Sequence, residues 1–224
     1  MTAGVDQRGY SLRYSSRARR ISIRVSPGSV SVIAPTGADQ KVIDAFVESR
    51  KQWIEEKLAL FSSFEGPSSL VQLEDGAVLW FFGRELHLQV VENKTYPIVQ
   101  NDRLLLEETW LFGNRLFNWL EEQLLITVGA FADHYKEKAG KSPQRIRIGN
   151  ARTRWGSCSA GGVIMMNRKL VHAPLNVIEY VFVHELVHLK HRNHSHLFWG
   201  TVERYLGDVR HLKKWLRLQG AHLL

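Results

Sequence analysis

Val183-His184-Glu185-Leu186-Val187-His188-Leu189 is the stretch on which the reading of this chain turns. Two histidines four residues apart on an α-helix lie one above the other on the same face, so both rings reach one ion at about 2.0–2.1 Å. Glu185 is offset by about 100° from His184 around such a helix. A carboxylate there can hold a water beside the ion without displacing a histidine. Zinc is the expected metal, and imidazole ligands accept other divalent ions as well. Zinc lowers the pKa of a bound water towards ~7, and Glu185 is placed to act as general base.

The flanking residues place this helix in the interior. Val177, Ile178, Val181, Phe182, Val183, Leu186, Val187 and Leu189 make it apolar nearly all round, which predicts burial. Two histidines and a glutamate in such a setting need partners, and a cation satisfies all three together. A third protein ligand is required, and His191, His194, His196 and Glu203 are the candidates. His194 is the expected one. In a continued helix His191 would lie ~10 Å along the axis from His184, whereas Asn193 gives the chain a place to turn and bring His194 back. The HExxHx₅H spacing matches that of the metzincins, although His191 stands where they have glycine and no Met-turn follows. Glu203 on the next helix is the alternative, giving two histidines and a carboxylate. Tyr180, one turn before His184, is either a core residue or a donor to a developing oxyanion.

Working outward, Ile146–Ile148, Arg152–Ser157 and Val163–Asn167 read as strands around a turn at 159–162. Pro174 suits the first turn of the histidine helix, expected to run to about Lys190, and Ser195 is placed to cap the next one. Leu111, Leu116, Trp119, Leu120, Leu124, Val128, Phe131 and Tyr135 form one stripe of a long helix ended by Gly140 and Pro143. Further back, 77–82 and 85–91 read as strands around Gly83, and Gly66-Pro67-Ser68-Ser69 as a linker. Ile21, Ile23, Val25, Val30 and Val32 alternate as a hairpin around Pro27-Gly28, and a helix follows a cap at Asp39.

Composition limits the remaining classes. The chain has 224 residues, 44% hydrophobic and 23% charged, as a globular protein does. The longest apolar runs, such as Leu124 to Ala132, fall short of the ~20 residues that cross a bilayer, so no membrane span is expected. Asp6, Arg8, Arg13 and Arg17 leave no apolar centre for a secretory signal, and the single cysteine, Cys158, makes no internal disulfide. A cytoplasmic location is expected. The net charge of +8 attracts anions. With the arginines at 8, 13, 17, 19, 20 and 24, it motivates a rival class, a nucleic-acid-associated binding protein with structural zinc.

Trp155-Gly156-Ser157-Cys158-Ser159, Asn167, Val177-Ile178-Glu179-Tyr180, His184 to Leu189, Asn193-His194-Ser195 and Phe198-Trp199, in this order, resemble the YgjP-like metal-dependent hydrolases, a metallopeptidase domain of the zincin type. Arg19-Arg20-Ile21-Ser22-Ile23 and Trp215-Leu216 extend the likeness over most of the chain. Glu179 and Met166 stand where the family favours aspartate and leucine, both conservative departures. The resemblance implies His184, His188 and His194 as metal ligands and Glu185 as the catalytic residue. It also implies a hydrolase whose substrate is a peptide or protein, or a nucleotide, since a UTP pyrophosphatase activity is attached to the family too. For a peptide, the 152–167 hairpin offers an edge strand. For a nucleotide, Arg152, Arg154, Arg168 and Lys169 would bind phosphates. Trp155 is weighed evenly between cleft and core, and Cys158 reads as a small buried residue. The expected fold is α+β, with an N-terminal β-rich region with a helix over 1–105. A zincin-like catalytic domain over 106–224 is expected to contain a small antiparallel sheet and the HExxH helix.

Overall fold

The computed structural model describes residues 9–26, 28–62 and 73–220. Asp6, Arg8, Pro27 and the linker residues Gly66 to Ser69 lie outside the described residues. The chain divides into two compact units, Met1–Gly66 and Pro67–Leu224.

In the first unit, β2 (Ser22–Ser26) pairs antiparallel with β3 (Ser29–Pro35), as the alternation of valines and isoleucines predicts. A strand outside that reading, β1 (Ser11–Ser15), pairs parallel with β3 on its other side. The Asp39 carboxylate accepts from the Lys41 N–H at 2.8 Å and caps α1 (Gln40–Glu48). The single helix expected here is broken at Ser49, whose hydroxyl donates to the Phe46 carbonyl at 2.7 Å, and α2 (Lys51–Ser62) follows. Val32, Ala34 and Ile43 are fully buried between sheet and helices.

The second unit holds the histidine helix. A four-stranded sheet is built from β4 (Val78–Phe81), β5 (Arg84–Val90), β6 (Ile98–Gln100) and β7 (Arg103–Leu106) in the order β4-β5-β7-β6. After it come α3 (Arg115–Ala139), β8 (Arg145–Gly149), β9 (Gly156–Cys158) and β10 (Val163–Asn167). The chain continues as α4 (Leu175–Val187), α5 (His196–Leu206) and α6 (Arg210–Leu218). Gly140, with φ 62°, ends α3 in the left-handed conformation that glycine tolerates best. No helix among the described residues is long and apolar enough to cross a membrane.

Two expectations are corrected. The boundary expected at residue 105 runs through this unit, because Leu79, Phe81, Leu86, Leu88, Leu104 and Leu106 share one buried core with α3 and α4. The small sheet is mixed rather than antiparallel: β10 lies in the middle, antiparallel to β9 and parallel to β8. The strand expected over 152–157 shortens to Gly156–Cys158, because the side chain of Asn167 captures the backbone of the preceding loop.

A tight contact fixes where α4 starts. The Phe82 N–H donates to the Val171 carbonyl at 2.8 Å, and the His172 ring lies 2.6 Å from the Trp80 carbonyl through Nδ1. At Gly83 (φ 80°) an added Cβ would sit 2.6 Å from the Cα of Pro174, the residue that precedes α4. Gly83→Ala combines overpacking against backbone with left-handed strain, and is expected to destabilise this unit by about 3 kcal/mol in chemical denaturation.

Candidate metal centre

α4 ends at Val187, with His188 as its C-cap residue, and the chain then leaves the helical path. The N–H groups of Lys190 and His191 both return to the Val187 carbonyl at 3.0 and 2.9 Å, closing a tight turn. The bond from His191 is still of the helical i→i−4 kind, and beyond it residues 192–195 fold back over the end of α4. His194 Nε2 thereby comes to 3.0 Å from His184 Nε2. The ring of His188 lies 5.1 Å from that of His184 and 4.8 Å from that of His194, centroid to centroid.

One nitrogen from each of His184, His188 and His194 falls within 4.8 Å of the others, a grouping that could hold a metal ion. Two nitrogens bound tetrahedrally at ~2.05 Å would be about 3.3 Å apart, close to the His184 to His194 separation. His188 is oriented for this role. Its Nδ1 donates to the His191 carbonyl at 2.9 Å, which leaves the lone pair on Nε2. Burial, followed by the neighbouring His188 and His194, lowers the His184 pKa to about 4, so this ring is neutral and available as a ligand near pH 7. His184 faces the group through Nε2, while its Nδ1 is buried and has no hydrogen-bond partner among the described residues. The donor set therefore fits a divalent ion of the zinc type.

Phe198, fully buried on α5, places its ring 4.8, 4.6 and 4.7 Å from those of His184, His188 and His194. It forms an apolar backing to all three. Trp199 stacks on His194 at 5.7 Å, and the Lys213 ammonium from α6 lies 3.4 Å from the Trp199 ring centre.

Glu185 is only 7% exposed. Burial raises its pKa to about 7, against the lowering influence of the Arg154 charge. Its carboxyl rests against Gly156 on β9, where an added Cβ would meet Glu185 Cγ and Oε1 at 2.7 Å. A cavity of about 550 Å³ opens in front of these groups, lined by Arg154 to Cys158, Tyr180, Glu185, the three histidines and Arg192. Tyr180 is buried and lines the cavity as well, and burial raises its hydroxyl to about 12, so it stays protonated.

The other sequence candidates divide. Glu203 is exposed on α5 and, like His191 and His196, lies outside the converging group. Of the four basic residues considered for phosphates, Arg154 alone lines this cavity. Arg168 instead pairs with Glu121 at 2.9 Å, and Lys169 lines a separate cavity with His172. Trp155 and Cys158 both line the cavity, and burial raises the Cys158 thiol's pKa, keeping it protonated. Sequence reasoning gave no role to Asn167. It is fully buried and donates from its amide to the Ala151 and Arg154 carbonyls at 2.7 and 2.9 Å. Its own N–H donates to the Trp155 carbonyl at 2.8 Å, so one residue fixes the loop that frames the cavity. A buried polar residue closing a central strand was the available signal.

A family model described as YgjP-like, metallopeptidase domain, matches residues 19–219, nearly the whole chain. The chain belongs to the YgjP-like family. That membership makes it a metallopeptidase-domain protein of the hydrolase class, with a metal cofactor implied. One solved structure similar to it is the metallopeptidase zymogen abylysin of Pyrococcus abyssi. That protein is 25% identical and aligns over 41% of this YgjP-like chain and 95% of its own, with a TM-score of 0.37. No curated protein matches this sequence.

Proposed function

We propose that this protein is a zinc-dependent hydrolase of peptide bonds, in which His184, His188 and His194 hold the ion and Glu185 is the general base. The observation that carries this reading is the convergence of three imidazoles beside a buried carboxylate at an open cavity. Held by these three histidines, zinc would lower the pKa of a water towards ~7 and polarise the target carbonyl. Glu185 takes a proton from the attacking water and passes it to the leaving amine. Its burial tunes it for both transfers, because a carboxyl titrating near 7 is a competent base and a competent acid at neutral pH. Tyr180, protonated and one turn before His184, donates to the oxyanion. Phe198 excludes water behind the histidines.

β9 is an edge strand, and all three of its residues line the cavity. An extended peptide paired along Gly156–Cys158 would run past the histidines, which favours a peptide over a nucleotide. We place the protein in the cytoplasm on the strength of its single unpaired cysteine, and propose the basic surface behind the +8 charge as a separate contact for nucleic acid.

The test is a panel of unfolded proteins and nucleoside triphosphates incubated with zinc-loaded, chelator-stripped and reloaded protein. Peptide cleavage is expected with zinc, lost on chelation and restored by zinc. Release of phosphate or pyrophosphate without any peptide cleavage contradicts the peptide assignment.

A further inference from the structure

Apart from its histidines, the cavity is lined by three charged residues, Glu185, Arg154 and Arg192. Arg192 is committed elsewhere: its guanidinium donates to the Ser159 and Ala160 carbonyls at 3.1 and 3.0 Å and clamps the turn between β9 and β10. Arg154 is different. Among the described residues it takes part in no ion pair, and its influence on Glu185 is felt through charge alone. Its side chain is exposed to solvent at the cavity wall.

The backbone that carries it is held firmly. Asn167 bonds the carbonyls of Ala151, Arg154 and Trp155, one with its N–H and two with its amide. The chain thus anchors Arg154 at its backbone beside the proposed general base, and among the described residues no carboxylate lies in pairing distance of its guanidinium. Glu185, the one acidic lining residue, is turned towards Gly156 and buried. A guanidinium offers five N–H donors in a planar fork that matches a carboxylate, and such pairs are both stronger and more directional than neutral hydrogen bonds. The Lys213 ammonium, seated on Trp199, adds positive charge that reaches His184.

We propose that Arg154 is a specificity-determining residue that pairs with an acidic side chain of the substrate, so that this site selects peptides with aspartate or glutamate close to the bond that is cut. This rests on the peptide reading above and narrows its substrate class. Because the Arg154 charge also acts on Glu185, its removal alters turnover of every peptide alike, and the lost substrate pairing is read in the ratio of kcat/KM between acidic and other peptides.

The experiment uses matched peptides that differ only in carrying glutamate, glutamine or lysine at one position, scanned on both sides of the cleaved bond. Wild type is expected to favour glutamate over lysine by roughly 10- to 100-fold in kcat/KM at its best position. Arg154→Glu is expected to reverse that order, and Arg154→Lys to keep it in weakened form, both at unchanged zinc content. Binding of the same peptides to zinc-loaded Glu185→Gln, followed by tryptophan fluorescence, should show the same ranking without turnover. Equal cutting of all three peptide series, or an equal loss on all three in Arg154→Glu, overturns the proposal and leaves the peptide reading standing. Zinc-loaded wild type that cuts no peptide overturns the peptide reading and the proposal with it.

Discussion

Glu185→Gln is expected to lower kcat for peptide hydrolysis by about 10²–10⁴-fold while leaving zinc content and fold unchanged. Glutamine keeps the volume and the hydrogen-bonding reach of the carboxyl but cannot accept a proton. Glu185 is not among the converging nitrogens, so the ligand set is untouched. The fold should tolerate the change, because the carboxyl is 7% exposed and its pKa is already raised to about 7 by burial. Burying a neutral amide costs less than burying an ionised carboxylate. A structural zinc site has no need of a base, so retained activity in this variant would favour the binding-protein class. Metal analysis and steady-state kinetics on the same preparation decide between them, and activity within threefold of wild type contradicts the assignment.

Gly156→Ala is expected to remove most of the activity by a different route. The new methyl would lie 2.7 Å from Glu185 Cγ and Oε1 and 3.0 Å from Cδ, closer than carbon atoms approach without displacement. β9 has little room to retreat, since Gly156 is paired with Met166 on a buried central strand. The carboxylate must therefore turn away. A misplacement of ~1 Å at a catalytic group costs on the order of 10²-fold in rate, and overpacking of this kind costs about 1–3 kcal/mol in stability. Zinc content should stay at the wild-type level because the three atoms nearest the methyl all belong to Glu185, which is not one of the three converging histidines. Full activity in a folded Gly156→Ala would show that the position of Glu185 does not matter to the chemistry.

What was legible in the sequence followed from local spacing. The four-residue interval between His184 and His188, the apolar wrapping of their helix, the cap at Asp39 and the stop at Gly140 each depend on residues within a few turns of one another. The return of His194 was legible too, because Asn193 marks a break. Long-range pairings were not. Nothing local says that β8 and β10 run parallel, or that the β4–β7 sheet shares its core with α3 and α4 instead of belonging to the N-terminal unit. Arg152, Arg154, Arg168 and Lys169 look equivalent as a basic string. The loop fixed by Asn167 and the ion pair from Arg168 to Glu121 send them to different places. Gly156 reads only as one residue of the strand expected over 152–157, whereas its importance is the absence of a side chain where Glu185 needs room.

The most direct measurement is the zinc content of purified wild type beside that of His184→Ala, His188→Ala and His194→Ala, each checked for fold by circular dichroism. One equivalent of zinc is expected in wild type, with less than stoichiometric zinc in all three variants. Saturating wild type with zinc at 100 times its Kd should also stabilise it by ~2.7 kcal/mol, a gain absent from the variants. Equal zinc in wild type and His188→Ala, or none in either, would contradict a metal centre built from these three residues.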